Sequence, residues 1–160
     1  MEPDLADLMG LALDEASAAP AHGDVPVGAV ITSSDGGVIA RRHNERELAG
    51  DPTAHAELLA LRDAAVRLGQ WRLDGCTLVV TLEPCPMCAG AALAARITTV
   101  AFGAPDPKAG ACGSLYNLAA DPRLNHEFAV ISGIAAEEAA ALLRDFFAAR
   151  RAPPGLRPGH

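Results

Sequence analysis

The spacing of apolar positions changes several times along the chain, and each change predicts an element. Leu5, Leu8, Met9, Ala12 and Ala16 recur at helical spacing, which predicts a helix over residues 4–19. The β-branched run VPVGAVIT (25–32) predicts a strand, SSDGG (33–37) a turn and VIARR (38–42) a second strand, so the three form a hairpin. The polar stretch NERELAGDPT (44–53) reads as a loop, and the Ala/Leu-rich residues 54–68 as a helix stopped by Gly69. CTLVVTLE (76–83) is continuously apolar, the pattern of a strand buried on both faces. A short helix follows at 86–95, a fourth strand at ITTVAFG (97–103), and a Gly/Pro-rich loop at APDPKAGACGS (104–114). EFAVISG (127–133) reads as a fifth strand, residues 135–151 as a last helix, and APPGLRPGH (152–160) as a flexible Pro-rich tail.

The order βαβαβ behind an opening hairpin implies an α/β fold, with a partly parallel sheet covered by helices on both faces. A length of 160 residues suits one domain with one buried core. In open sheets of this kind, sites gather where strands end and helices begin. DPTAHAE (51–57) and TLEPCPMCAG (81–90) both fall at such helix starts.

Composition narrows the class. Half the residues are hydrophobic and 21% are charged, which fits a globular protein. No apolar run is long enough to span a membrane, and the acidic start MEPDLADLMGLALDEA is no secretory signal, so the expectation is a cytoplasmic protein. In a reducing compartment, four cysteines point toward metal or catalysis and away from disulfides. A net charge of −7 argues against nucleic acid, but the excess is local. Residues 1–40 hold seven acids and no Lys or Arg, leaving 13 acids against 13 bases in the rest of the chain. ARRHNER (40–46) and RDFFAARR (144–151) lean basic.

Cys85 and Cys88 alone leave several readings open: a redox pair, half of a structural zinc site, a ligand pair or buried thiols. A closed structural site needs a second pair, and Cys76 and Cys112 are each isolated in sequence. His55 and Glu57 change the picture. Side chains in a helix's first turn tilt toward its amino end, so both reach a site just beyond it. A capping box counted from Thr53 would put its acid at Ala56, so Glu57 is not explained as a cap. One His and two Cys leave a fourth tetrahedral position open, the arrangement of a catalytic zinc. Glu57 is then free to move protons.

HAE (55–57) followed by PCPMC (84–88) is the established signature of the zinc-dependent base deaminases, so here the match is a resemblance and not a derivation. The chain resembles the cytidine deaminase superfamily. Through VPVGAV, HN (43–44), FGAPDPKAG (102–110), GSL (113–115), NH (125–126) and DFFAARR (145–151), it is similar to the tRNA adenosine deaminase branch. The resemblance implies a three-layer α/β/α sandwich with a five-stranded mixed sheet, in a single deaminase domain over 1–151. It implies a homodimer with one Zn2+ per subunit, bound by His55, Cys85 and Cys88. The activity implied is deamination of adenosine to inosine at the wobble position of the tRNA anticodon loop, with Glu57 as proton shuttle. Asn44 would read the base, Val27 and Leu82 would wall the pocket, and the backbone at Glu83 and Pro84 would face the leaving amine. Asp106, Lys108, Asn125 and His126 would touch flanking nucleotides, and Phe146, Phe147, Arg150 and Arg151 would grip the anticodon loop. Two other functions compete: deamination of a free nucleobase or nucleoside, and a non-catalytic, zinc-stabilised RNA-binding protein.

Overall fold

The computed structural model describes residues 4–151. The tail expected at 152–160 lies outside the described residues. The first helix, α1 (Leu5–Ala18), starts at Asp4, whose carboxylate accepts the Ala6 N–H. A single 3-10 turn (Ala19–His22) leads into the hairpin of β1 (Gly28–Thr32) and β2 (Val38–His43). The stretch 44–53, expected as loop, holds a one-turn helix, α2 (Arg46–Ala49). It forms because the buried Asp24 carboxylate accepts the N–H groups of Glu47 and Leu48 from across the chain. Then come α3 (Ala56–Leu68), β3 (Thr77–Leu82), α4 (Pro86–Ala94), β4 (Thr99–Ala104), β5 (Ala129–Ile131) and α5 (Ala136–Arg151).

The five strands make one mixed sheet in the order β2-β1-β3-β4-β5. The pairs β2/β1 and β1/β3 are antiparallel, and β3/β4 and β4/β5 are parallel. Strand alternation sends successive residues to opposite faces. Ala29, Ile31, Leu78, Val80, Val100 and Phe102 pack with α3 and α4. Val30, Val79 and Ala101 pack with Leu8, Met9 and Ala12 of α1. Helix α5 lies against β4 and α1, which completes the third layer and the α/β/α sandwich. Gly28 permits the closeness of α1: a Cβ there would stand 1.9 Å from the Ala12 carbonyl oxygen. The fifth strand is shorter than expected, three exposed residues at the sheet edge, because only β4 offers it hydrogen bonds.

Antiparallel pairing brings the start of β1 beside the end of β3, where the Gly28 N–H donates to Thr81 Oγ1 (3.2 Å). One end of the sheet therefore collects the entry to β1 and the exits of β2, β3 and β4, together with the amino ends of α3 and α4. No helix among the described residues is long and apolar enough to cross a membrane.

Candidate metal centre and active site

His55 and Cys85 are the N-cap residues of α3 and α4, and neither uses its side chain as a cap. Both side chains turn outward to a shared point instead. The exposed helix N–H groups are dealt with in two other ways. At α4, Pro86 occupies the first helical position and has no N–H to satisfy. At α3, the Ala56 N–H donates to Oδ1 of the buried Asn44 (2.8 Å), while Asn44 Nδ2 donates to the Val25 carbonyl (3.1 Å). Asn44 thus caps in trans a helix whose own cap residue belongs to the candidate ligand set.

The His55 Nδ1 lies 3.6 Å from Cys85 Sγ and 3.5 Å from Cys88 Sγ, and the three ligand atoms all fall within 4.8 Å of one another. Zinc–sulfur bonds of about 2.3 Å and zinc–nitrogen bonds of about 2.0 Å at tetrahedral angles require an N···S edge of about 3.6 Å. The donor set fits that edge. The thiols compete for one proton. Cys85 is drawn down to about 4, first by the Cys88 thiol and then, against the effect of burial, by His55. Cys88 is pushed up by that same contact and by burial. A divalent cation held by His55, Cys85 and Cys88 would let both thiols ionise. Two helix amino ends aimed at the point favour the same outcome.

Glu57, in the first turn of α3, is 3% exposed, and burial raises its carboxyl above the usual range. Its Oε1 has no partner among the described residues. A buried carboxylate oxygen left open beside three ligands is a place for a water molecule.

The match to known proteins agrees with this geometry. Residues 3–104 match the cytidine and deoxycytidylate deaminase zinc-binding region. The chain is 50% identical over 136 residues to the tRNA-specific adenosine deaminase of Bacillus subtilis (strain 168), covering 85% of this chain and 84% of that one.

The chain belongs to the cytidine and deoxycytidylate deaminase family.

Within it, the fold superposes on a chain solved in studies of A-to-I editing by tRNA:A34 deaminases at the wobble position. The TM-score is 0.82 at 47% identity, over 86% of this chain and 99% of that one. The guanine deaminase from Nitrosomonas europaea shares the frame at 27% identity, TM-score 0.76, over 92% and 86% of the two chains.

This deaminase fold brings some of the expected substrate residues to the site end and uses others for itself. Buried Val27 and half-buried Leu82 stand at the entry of β1 and the exit of β3; the Val27 carbonyl accepts the Asn44 N–H (3.1 Å). Glu83 contributes no side chain to a pocket. Its carboxylate is turned under the 106–114 loop, where four donors occupy it. One lone pair of the Pro84 carbonyl is taken by the Ala111 N–H (2.8 Å). Asp106 caps its own turn, accepting the N–H groups of Lys108 and Ala109, and leaves Lys108 exposed.

His126 departs from the expectation. Its Nε2 lies 2.7 Å from the Ile97 carbonyl, at the amino end of β4, whereas the metal ligands sit at the carboxyl end. Parallel pairing of β5 with β4 starts at Thr99↔Ala129, which carries Asn125 and His126 to that far end. Arg150 also differs: it donates to the Gly23 carbonyl and stacks 4.6 Å over the Phe146 ring, tying α5 to the segment before β1. Phe147 and Arg151 remain exposed.

Several residues around the site carried no individual signal in the sequence, although Gly110 and Ser114 fall within FGAPDPKAG and GSL. Cys112, distant in sequence, is buried near the site, its thiol pushed up to about 12 by burial and by Glu83, Glu57 and Cys85. Asp24, Gly110 and Ser114 each meet a partner more than 20 residues away in the chain, Glu47 for Asp24 and Glu83 for the other two.

Proposed function

We propose that this protein is a hydrolytic deaminase that converts adenosine to inosine at the wobble position of tRNA. The observation that carries the chemistry is Glu57 Oε1, buried and unpartnered beside His55, Cys85 and Cys88. Zinc at those three ligands supplies a water acidified to a pKa of about 7. Glu57 takes up and returns protons at Oε1: burial raises its carboxyl above the usual carboxylate range, and the first turn of α3 places it beside the ligands. Asn44 keeps one Nδ2 hydrogen beyond its Val25 bond, and this hydrogen faces the base. Val27 and Leu82 wall the base in, with the backbone of Glu83 and Pro84 at the leaving amine. Lys108, on its exposed turn, and Phe147 with Arg151, at the end of α5, receive the nucleotides around the target.

The substrate class is supported by similarity: 50% identity to a tRNA-specific adenosine deaminase, against 27% to a guanine deaminase. The protein works as a homodimer. Exposed Met87, Leu115 and Tyr116, close in sequence to the Pro84–Ala111 contact, support an apolar interface there. It is cytoplasmic, in keeping with four free cysteines.

The deciding experiment offers the zinc-loaded protein an unmodified tRNA with A at the wobble position, beside free adenosine, adenine, cytidine, cytosine and guanine. Inosine in the tRNA alone is the expected result. Ammonia from a free base or nucleoside, with tRNA untouched, would move the protein to salvage chemistry; no turnover at all would leave an RNA-binding scaffold. Sedimentation of the same sample tests the dimer.

A further inference from the structure

We propose that the Glu83 side chain is the positioning group of the substrate loop, setting RNA recognition through a carboxylate that itself touches neither RNA nor metal. The inference rests on the reading that the 106–114 turn meets the RNA. Glu83 follows β3 directly, and its N–H donates to the Ala104 carbonyl (2.9 Å), which fixes the residue at the exit of β4. From there its buried carboxylate gathers the loop. Oε1 accepts the Asp106 N–H (3.0 Å) and the Ser114 hydroxyl; Oε2 accepts the N–H groups of Cys112 and Ser114, each at 3.0 Å.

Four donors fill the four lone-pair positions a carboxylate offers, so nothing remains for a substrate. The donors enter from both ends of the loop, Asp106 and Cys112–Ser114, so one side chain closes it. Gly110 lies flat on the carboxylate, where a Cβ would stand 2.4 Å from Glu83 Cδ. The opposite flank has no such support: a cavity of 350 Å³ opens between Pro105, Cys112 and Ser114 on the loop and Val130, Ser132 and Gly133 by β5. Glu83 thus holds the two ends of the loop from the inside, beside the Pro84–Ala111 bond and the Asp106 cap, and Lys108 stands on the turn so held.

The test compares wild type with Glu83→Gln, in which an amide replaces one acceptor oxygen and meets N–H groups head-on. Zinc content, kcat and KM on the wobble-A tRNA, and hydrogen exchange of the 106–114 amides are measured. The expected result is one zinc per chain, KM raised about tenfold or more, any fall in kcat smaller than the rise in KM, and faster exchange confined to the loop. Ser114→Ala removes one donor and shifts KM in the same direction by less; it decides the matter alone if Glu83→Gln does not fold. An unchanged KM in the folded variants, or lost zinc and kcat at constant KM, would overturn the proposal. Lys108→Ala separates the two readings. If it leaves KM unchanged while Glu83→Gln raises it, Lys108 is struck from the RNA contacts and the positioning role stands.

Discussion

Asn44→Ala removes two hydrogen bonds at once from the amino end of α3. The Ala56 N–H is fully buried and would lose its acceptor, a loss of about 1–3 kcal/mol. The Val25 carbonyl would keep the Val27 N–H (2.8 Å), so its share is smaller, about 0.5–1.5 kcal/mol. The sum is about 1.5–4.5 kcal/mol, and at about 2–4 °C per kcal/mol for a chain of this size Tm falls by roughly 3–18 °C. The same bond fixes the turn that presents His55, so zinc affinity falls by about tenfold, at the low end for lost orienting contacts. Thermal melts in saturating zinc and competition with a chelator read the two effects separately. Asn44→Asp keeps an acceptor for Ala56 but turns a carboxylate oxygen toward the Val25 carbonyl, so its Tm falls between the other two. A melt of Asn44→Ala within about 2 °C of wild type, or Asn44→Asp melting no higher than Asn44→Ala, would refute the capping argument.

Four further outcomes follow from the same geometry. Glu57→Gln retains zinc and fold while kcat drops by about 10²–10⁴-fold; full activity in the zinc-loaded variant would remove Glu57 from the mechanism. Chelation lowers Tm and added zinc restores it, by about 2.7 kcal/mol at a free metal concentration of 100 times Kd; a Tm indifferent to zinc would contradict the ligand set. Burial alone would raise the Asp24 carboxyl, but the Glu47 N–H, the His22 side chain and the Leu48 N–H together hold it below 3.8. A depressed carboxyl stabilises fully above its unfolded pKa and loses that contribution as pH falls through the folded value. The stability gap between wild type and Asp24→Asn in urea titrations should therefore be wide at pH 7 and close below about pH 4; a gap independent of pH would refute it. Gly28→Ala drives a methyl into the Ala12 carbonyl and the Ala16 N, 1.9 and 2.6 Å away, and costs about 1–3 kcal/mol or more; a wild-type melt would show that α1 can withdraw freely.

The sequence by itself determined the order of the main helices and strands and the candidate ligand set, while the one-turn α2 read as loop. Period and turn chemistry reflect local dihedral angles and burial, so the order of helices and strands was legible from one stretch at a time. His55 and Glu57 share one helix start, and Cys85 and Cys88 another, so spacing alone aims each pair past a helix end. Tertiary structure decided everything that depends on where strand ends come to lie. The order β2-β1-β3-β4-β5 puts the exits of β3 and β4 side by side, and only then can Glu83 collect donors 23 to 31 residues further on. The same register sends His126 to the opposite end of β4, and β1 pairing brings Val25 within reach of Asn44. Hydrogen-bond partners so far apart leave no periodic trace, because each is chosen by the position of a loop in space and not by its neighbours in the chain.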